Sequence, residues 1–390
     1  MTAPVSLHLA PMEGVAPWQR NPYRVLFPVG VALAFAGVGQ WLLFAAQLGR
    51  YRPIFHAMTQ VQGFVMCFVS GFLLTFIPRR TGAAPPSLVQ LLIAALSPIA
   101  LAITAWEDQW ALSQVFYLSQ VVLLLYFVGS RLLRSRLTRP PDDHLVWVPL
   151  SLVCGIAASV LTGVAAARGA MWLHDIGRRL VLEAVVSGLV LGVGSFLVPV
   201  ITRGQPPTRA PSLRGKLLQV ALFSAFIGTY FVEGLVSDRL GLGVRAAIAV
   251  YSLVAGAQLW RRPTRPGLNA WLVWLGAWTL PFGLALAAAF PVYRNGLMHI
   301  VYLGTFGVMA LSVGTHVVLA HANQMSLLSR APLPLIGLAA LAVISVTARV
   351  LLAIEPGHYF LWMTLAASAF LAAGALWLVQ AWRYLSPFTE

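Results

Sequence analysis

The chain has 390 residues, of which 59% are hydrophobic and only 9% are charged. Because a soluble domain carries about 25% charged residues, this composition excludes a water-soluble fold and predicts a protein embedded in a lipid bilayer. The net charge of +15 would suggest nucleic acid as the partner of a soluble protein. In a chain with many membrane spans, basic residues instead collect in cytoplasmic loops, so we expect no nucleic-acid partner.

Apolar segments long enough to cross a bilayer follow one another along the chain, separated by clusters of Pro and Arg that end helices. The predicted spans are 24–48, 55–78, 87–106, 110–131, 145–168, 180–202, 214–236, 243–260, 269–290, 297–321, 333–354 and 359–384. The sequence therefore predicts an all-α polytopic membrane protein. Its twelve-helix transmembrane bundle occupies residues 24–384, between an N-terminal tail (1–23) and a C-terminal tail (385–390).

The basic residues also predict an orientation. The loops on the side of the two termini carry roughly twice as many Lys and Arg residues as the opposite loops. By the positive-inside rule, both termini are expected in the cytoplasm. The N-terminus lacks a signal-peptide pattern, so the first span is expected to serve as an uncleaved targeting signal. The cysteines, Cys67 and Cys154, lie inside predicted spans without metal-ligand spacing.

The second span carries polar and small residues that membrane insertion does not require. In an uninterrupted helix, His56, Gln60, Gly63, Cys67 and Ser70 fall on one stripe. A glycine such as Gly63 lets either a flat macrocycle or another helix approach closely. The sequence leaves both interpretations open for this glycine, while the histidine points toward a cofactor.

The tenth span has the same character, with His299 at its start and Gly307 as a position of close approach. On a helix, His316 lies about 25 Å and His321 about 33 Å beyond His299, so neither can share one metal ion with it. His56 can, because both spans start on the same side of the membrane. Since histidine is a common haem ligand, we predict haem b held between His56 and His299.

Haem propionates need cations near a membrane interface. Arg178, Arg179 and Arg349 fall at the level of the two histidines, and they are the predicted propionate-binding residues. Arg349 lies inside a span, where a charge is expensive and usually has a partner. Pairing with Glu355, or extension toward the interface, is the alternative for this arginine.

Two acidic residues also lie inside predicted spans. Glu183 and Glu233 are expected either to pair with an arginine or to carry protons.

Further histidines are candidates for a second metal. His174 and His358 precede spans at the outer face, and His316 and His321 lie toward the inner end of span ten. His174, His316 and His321 are therefore predicted metal ligands beside His56 and His299. The alternative is that these positions are histidines tolerated at a membrane interface.

Several separated motifs resemble the NnrS family. They are Phe55-His56-Ala57 with Gly71-Phe72-Leu73-Leu74-Thr75, Met298-His299-Ile300, Val318-Leu319-Ala320-His321, Asn21-Pro22-Tyr23-Arg24 and Gly177-Arg178-Arg179-Leu180. The resemblance covers most of the chain. It implies a twelve-span protein of the bacterial inner membrane that binds haem and copper and is associated with nitric oxide, denitrification and nitrosative stress. Members often carry a second histidine and a glutamate where Met58 and Thr59 stand here, which weakens the expectation of copper.

Haem-copper oxidases and nitric oxide reductases offer a weaker analogy, since they also hold a haem between histidines of spans two and ten. This chain has Val301 in place of their further histidine and no histidine pair in spans six and seven. It therefore lacks the residues of their binuclear centre, and a likeness of fold does not transfer function.

The sequence leaves three functions in competition. The first is a haem protein acting on nitric oxide or its metal complexes, which as an enzyme would be an oxidoreductase supplied by an electron donor. The second is a secondary transporter, for which twelve spans and buried charges are typical. The third is a non-catalytic haem-based sensor or carrier of nitric oxide. The sequence gives no indication of the oligomeric state.

Overall fold

A computed structural model describes residues 15–134, 142–206 and 210–385. These residues form helices and loops without a strand, which confirms the predicted all-α bundle. The twelve long helices are α1 (Tyr23–Ala45), α2 (Pro53–Thr81), α3 (Leu88–Trp106), α4 (Trp110–Arg134), α5 (Trp147–Ala167), α6 (Met171–Arg203), α7 (Leu213–Leu235), α8 (Asp238–Ala255), α9 (Leu268–Ala289), α10 (Pro291–His321), α11 (Leu333–Ile354) and α12 (Tyr359–Leu385).

Of the helices in the described residues, 11 are long and apolar enough to cross a membrane. The exception is α8, which was predicted as span 243–260 but begins at Asp238 and ends at Ala255. Ser237 starts it earlier, because its hydroxyl accepts a hydrogen bond from the Leu240 N–H at 3.3 Å and so caps the helix. This earlier start brings additional charged residues into α8 and corrects the predicted boundary.

Local sequence explains several other helix ends. Ser87 and Gln90 form a capping box at the start of α3, and Ser212 caps α7. At the opposite ends, Gly82 and Gly204 follow α2 and α6 with φ of 67° and 79°. This left-handed conformation is strained for residues with a side chain, so glycine ends these helices.

Three helices, α2, α6 and α10, lie inside the bundle. Of their most apolar 18 residues, 83%, 72% and 67% are buried, whereas no other span exceeds 50%. The remaining nine helices form a closed ring in which neighbours pack in the order α1, α3, α4, α5, α7, α8, α9, α11, α12 and back to α1. The ring shields the inner helices from lipid, so their polar residues face protein or internal space.

Each inner helix contains a π-helical segment, at Thr59–Val65, Leu180–Ala184 and Ile300–Val308. A π turn holds more residues than an α turn, so it rotates the residues after it relative to those before, and such turns are frequent at functional sites. The stripe predicted for span two assumed an uninterrupted α-helix and is therefore broken after His56. The three π segments lie in the same end of the bundle as the predicted histidine level.

Candidate functional site

His56 and His299 start α2 and α10 with the same tautomer. The Nδ1 of His56 donates to the carbonyl oxygen of Gly37 in α1 at 2.9 Å, and the Nδ1 of His299 donates to that of Asn295 at 2.7 Å. Because a carbonyl oxygen only accepts, Nδ1 carries the hydrogen and Nε2 keeps its lone pair in the neutral ring. Within the described part of the chain, no hydrogen bond occupies either Nε2.

The two imidazoles share one charged neighbour. His299 lies within electrostatic range of His56, and Arg349 of α11 lies within range of both. Three helices that are distant in sequence thus bring two imidazoles and one guanidinium within electrostatic range of one another.

Arg349 has a buried Nε without a hydrogen-bond partner. The alternative partner, Glu355, instead lies 2.8 Å from the Nδ1 of His358 and accepts from the indole of Trp362 at 3.2 Å. No ion pair joins Arg349 to an acid of the described chain. Because the buried Nε of this half-buried arginine has no acidic partner in the described chain, an anionic group would be stabilised beside it.

The two predicted glycines differ in their surroundings. A Cβ at Gly63 would meet the side chain of Leu33 in α1 at 3.3 Å, so this glycine lets two helices pack closely. A Cβ at Gly307 would make only ordinary contacts, at 3.5 Å with the Tyr302 carbonyl and at 3.7 Å with the Phe370 ring. For Gly63 the structure therefore supports close helix packing. Gly307 of α10 has room for a Cβ beside it.

A second buried cluster, which we call the ionic cluster, lies next to His299. It consists of the side chains of Arg179, Glu183, Glu233, Arg245 and Arg294, contributed by α6, α7, α8 and α10. Glu233 pairs with Arg179 at 2.8 Å, with Arg245 at 2.7 Å and with Arg294 at 2.5 Å. The expected pairing of this buried acid with arginine is thus present.

Glu183 completes the ionic cluster from the π segment of α6. It pairs with Arg294 at 2.9 Å, lies 3.5 Å from Arg245, and accepts a hydrogen bond from Tyr302 at 2.9 Å. The ring of Tyr302 also meets the His299 ring edge-on, with 5.5 Å between centroids. Tyr302 is therefore the physical link between the ionic cluster and the histidine pair.

Sequence reasoning missed Arg245, which is fully buried and central to the ionic cluster. Its guanidinium lies over the Tyr230 ring, 3.3 Å from the centroid, and its Nε donates to Thr229 at 3.0 Å. A charged residue inside a predicted apolar span was the signal that could have found it.

The predicted propionate-binding residues therefore occupy three different environments. Arg179 belongs to the ionic cluster, and Arg178 is partly exposed with Asp175 at 3.6 Å. Among these three, Arg349 alone combines proximity to both His56 and His299 with a buried, unsatisfied nitrogen.

The other predicted metal ligands lie elsewhere. His174 is buried near the start of α6, where its Nδ1 donates to the Thr162 carbonyl at 3.1 Å. His316 and His321 lie at the opposite end of α10 from His299 and are within electrostatic range of each other. The His316 Nδ1 is buried without a hydrogen bond, and the His321 ring packs against Tyr23 with 5.1 Å between centroids.

No group of three or more His, Cys, Asp or Glu side chains that could hold a metal ion occurs in the described ranges. A bis-histidine cofactor needs only two protein ligands, so this finding bears on a closed metal site such as one for copper rather than on haem.

Comparison with known proteins identifies the family. No curated protein matches the chain. The model of the NnrS family, described as NnrS protein, matches residues 17–387. This match covers all twelve helices and includes both histidines, Arg349 and the ionic cluster. The chain therefore belongs to the NnrS family.

Proposed function

We propose that this multi-pass protein of the bacterial inner membrane holds haem b between His56 and His299. It acts on nitric oxide or its iron complexes, in denitrification or in the response to nitrosative stress. The observation that carries the proposal is a pair of imidazoles with free Nε2 atoms, half-buried at His56 and buried at His299, beside Arg349, whose buried Nε has no hydrogen-bond partner.

The donor set fits haem in its chemistry. Ligating histidines commonly donate their other ring N–H to a carbonyl or carboxylate, which sets the tautomer and the ring orientation. The carbonyls of Gly37 and Asn295 supply this support here. A propionate would give Arg349 the anionic partner that it lacks within the described chain. His56 and His299 would hold the haem through their ring nitrogens, and Arg349 would hold it through its charge.

The chain's own residues also limit the chemistry at this site. Haem supplies an iron centre that exchanges single electrons. Because His56 and His299 would both be engaged in holding the haem, the site would favour electron transfer over direct binding of nitric oxide. The ring of Trp41 packs against His56, with 5.3 Å between centroids, and Tyr302 packs against His299, so an aromatic ring helps to orient each imidazole.

Copper does not form part of this proposal. The described residues contain no group of three potential ligands, and Met58 and Thr59 stand where the family resemblance implies further ones. We therefore derive no step through a second metal.

The test is the optical spectrum of the purified protein and of three variants. We expect a Soret band with low-spin character in the wild type, and its loss or a change to five-coordinate haem in His56→Ala and His299→Ala. His358→Ala is the matched control, because this histidine is exposed in the loop before α12. A wild-type spectrum in both His56→Ala and His299→Ala would overturn the proposed clamp.

Consumption of nitric oxide separates haem binding from turnover. A protein that, when supplied with an electron donor, consumes nitric oxide over many cycles is an oxidoreductase. One that binds haem tightly but shows no turnover is a sensor or carrier. Substrate flux in haem-free liposomes would instead support the secondary-transporter alternative.

A further inference from the structure

A cavity of 110 Å³ lies between the three inner helices. Its wall includes Val69 and Phe72 of α2, Val193 and Gly194 of α6, and Met309 of α10. The space lies between α2, α6 and α10, which the ring of nine helices surrounds, and its lining residues are buried or half-buried.

The cavity is separate from the histidine pair. On α10 its lining runs from Thr305 to Gly314, which places it about 9–22 Å along the helix from His299 at 1.5 Å per residue. Neither His56 nor His299 lines the cavity. It is therefore a space distinct from the proposed haem site, further along the same helix α10.

The wall offers almost nothing to a water molecule. Its one polar side chain is that of Thr305, whose hydroxyl already shares a hydrogen bond with Thr279 at 2.9 Å. A buried water needs two to four polar partners, and an apolar cavity of about 150 Å³ elsewhere stays dry while binding benzene or xenon. The space between the inner helices is thus suited to a small apolar guest.

We propose that this cavity is a binding site for small apolar gas molecules and that its guest in the cell is nitric oxide. The identity of the guest rests on the proposed function, whereas the gas site itself does not. Nitric oxide is uncharged, diatomic and soluble in apolar media, so it fits both the size and the dry wall. A guest held here lies about two to four helical turns from His299 along α10.

Xenon provides a direct probe, and Met309 reports on it. We would label the methionine methyl groups of the full-length protein in nanodiscs with ¹³C and record their spectra under xenon pressure. The Met309 methyl is expected to shift with a saturable dependence on xenon. Met363 is the internal control, because it is buried in a separate cluster with Val38 and Trp41. Equal shifts at both methyls, or no saturation at Met309, would overturn the proposal.

Substitutions that fill the cavity test the same site with variants. A Cβ at Gly194 would meet only Val198 of its own helix, at 3.8 Å, so Gly194→Leu can project into the cavity without a clash. We expect at least tenfold weaker xenon binding in this variant and in Ala310→Leu, which fills the same space from α10. Gly228→Leu is the control, since a Cβ there meets nothing within 4 Å, and it should bind xenon as the wild type does.

Nitric oxide itself separates this inference from the haem proposal. Because it is paramagnetic, nitric oxide in the cavity should broaden the Met309 methyl signal. We expect this broadening in the His56→Ala/His299→Ala protein, which should lack haem, and its loss when Gly194→Leu is added. Broadening in the double variant alongside an unchanged Soret band would refute the haem clamp and support the gas site. Xenon binding without broadening by nitric oxide would refute nitric oxide as the guest.

Discussion

Two buried polar regions lie side by side at the same end of the bundle, and they differ in how their charges are balanced. In the ionic cluster, both carboxylates are held by guanidinium groups at 2.5–3.5 Å. In the histidine pair with Arg349, no acid of the described residues balances the guanidinium, and its Nε has no partner. Both regions consist of titratable residues inside membrane helices, so residue type alone does not separate them.

The difference shows which kind of buried charge indicates a ligand. A network in which each acid is paired with arginines balances its own charges, and its members hold helices together. An unsatisfied cation beside free imidazole nitrogens retains capacity for a group that the protein itself does not supply. On this comparison we propose that the ionic cluster is structural and that the histidine pair with Arg349 is the binding region.

The largest expected effect on folding comes from breaking the ionic cluster. Arg245→Leu removes a guanidinium that contacts both Glu183 and Glu233, and removing one partner of a buried ion pair costs about 3–5 kcal/mol. We expect that decrease in the free energy of unfolding, measured by denaturant titration of the purified protein. Arg239→Leu, an exposed arginine of the same helix, should change stability little. Equal stability of the two variants would contradict a structural role for the cluster.

A change at Arg349 should lower haem affinity without lowering the free energy of unfolding. Arg349→Gln removes the predicted charge-assisted contact with a propionate, worth about 1.5–3 kcal/mol, so we expect haem affinity to fall about tenfold to hundredfold. The free energy of unfolding of the haem-free protein should stay the same or rise, because an unpaired buried charge is lost. The measurements are the rate of haem transfer to a scavenger protein and the unfolding curve. Arg349→Lys, which keeps the charge, should show the smaller loss of affinity.

The smallest expected effect is at Tyr302, which links the two regions. Tyr302→Phe removes the hydrogen bond to Glu183 but keeps the ring against His299, so we expect a loss of about 1–2 kcal/mol in unfolding free energy. The Soret maximum should stay in place. A large spectral change with intact stability would instead assign Tyr302 to the histidine pair rather than to the ionic cluster.

Part of the binding region could be predicted from the sequence. His56 and His299 start spans of the same orientation, so counting helices places them at one membrane level, and they do lie within electrostatic range of each other. The family resemblance is confirmed by the match over residues 17–387. The cytoplasmic position of the termini stays a prediction.

Other features depend on contacts that no local pattern contains. The π segments interrupt helices whose sequences predict regular α-helices. Gly63 lies in one of these segments and packs against Leu33 of α1. Arg245 joins Glu183 across 62 positions, and Arg294 joins it across 111. Each arginine has several candidate acids along the chain, and only the packing of α6, α7, α8 and α10 selects among them.

The sequence by itself determined that this chain is a helical membrane bundle, because the length and apolarity of a span are local properties of about 20 residues. It also placed His56 and His299 at the same membrane level, because the side of the membrane on which a span starts follows from the number of spans before it. Only the tertiary structure decided which buried charges are balanced and which are left open. Balance depends on distances of about 3 Å between side chains of different helices, and these distances exist only once the inner helices are packed within the outer ring.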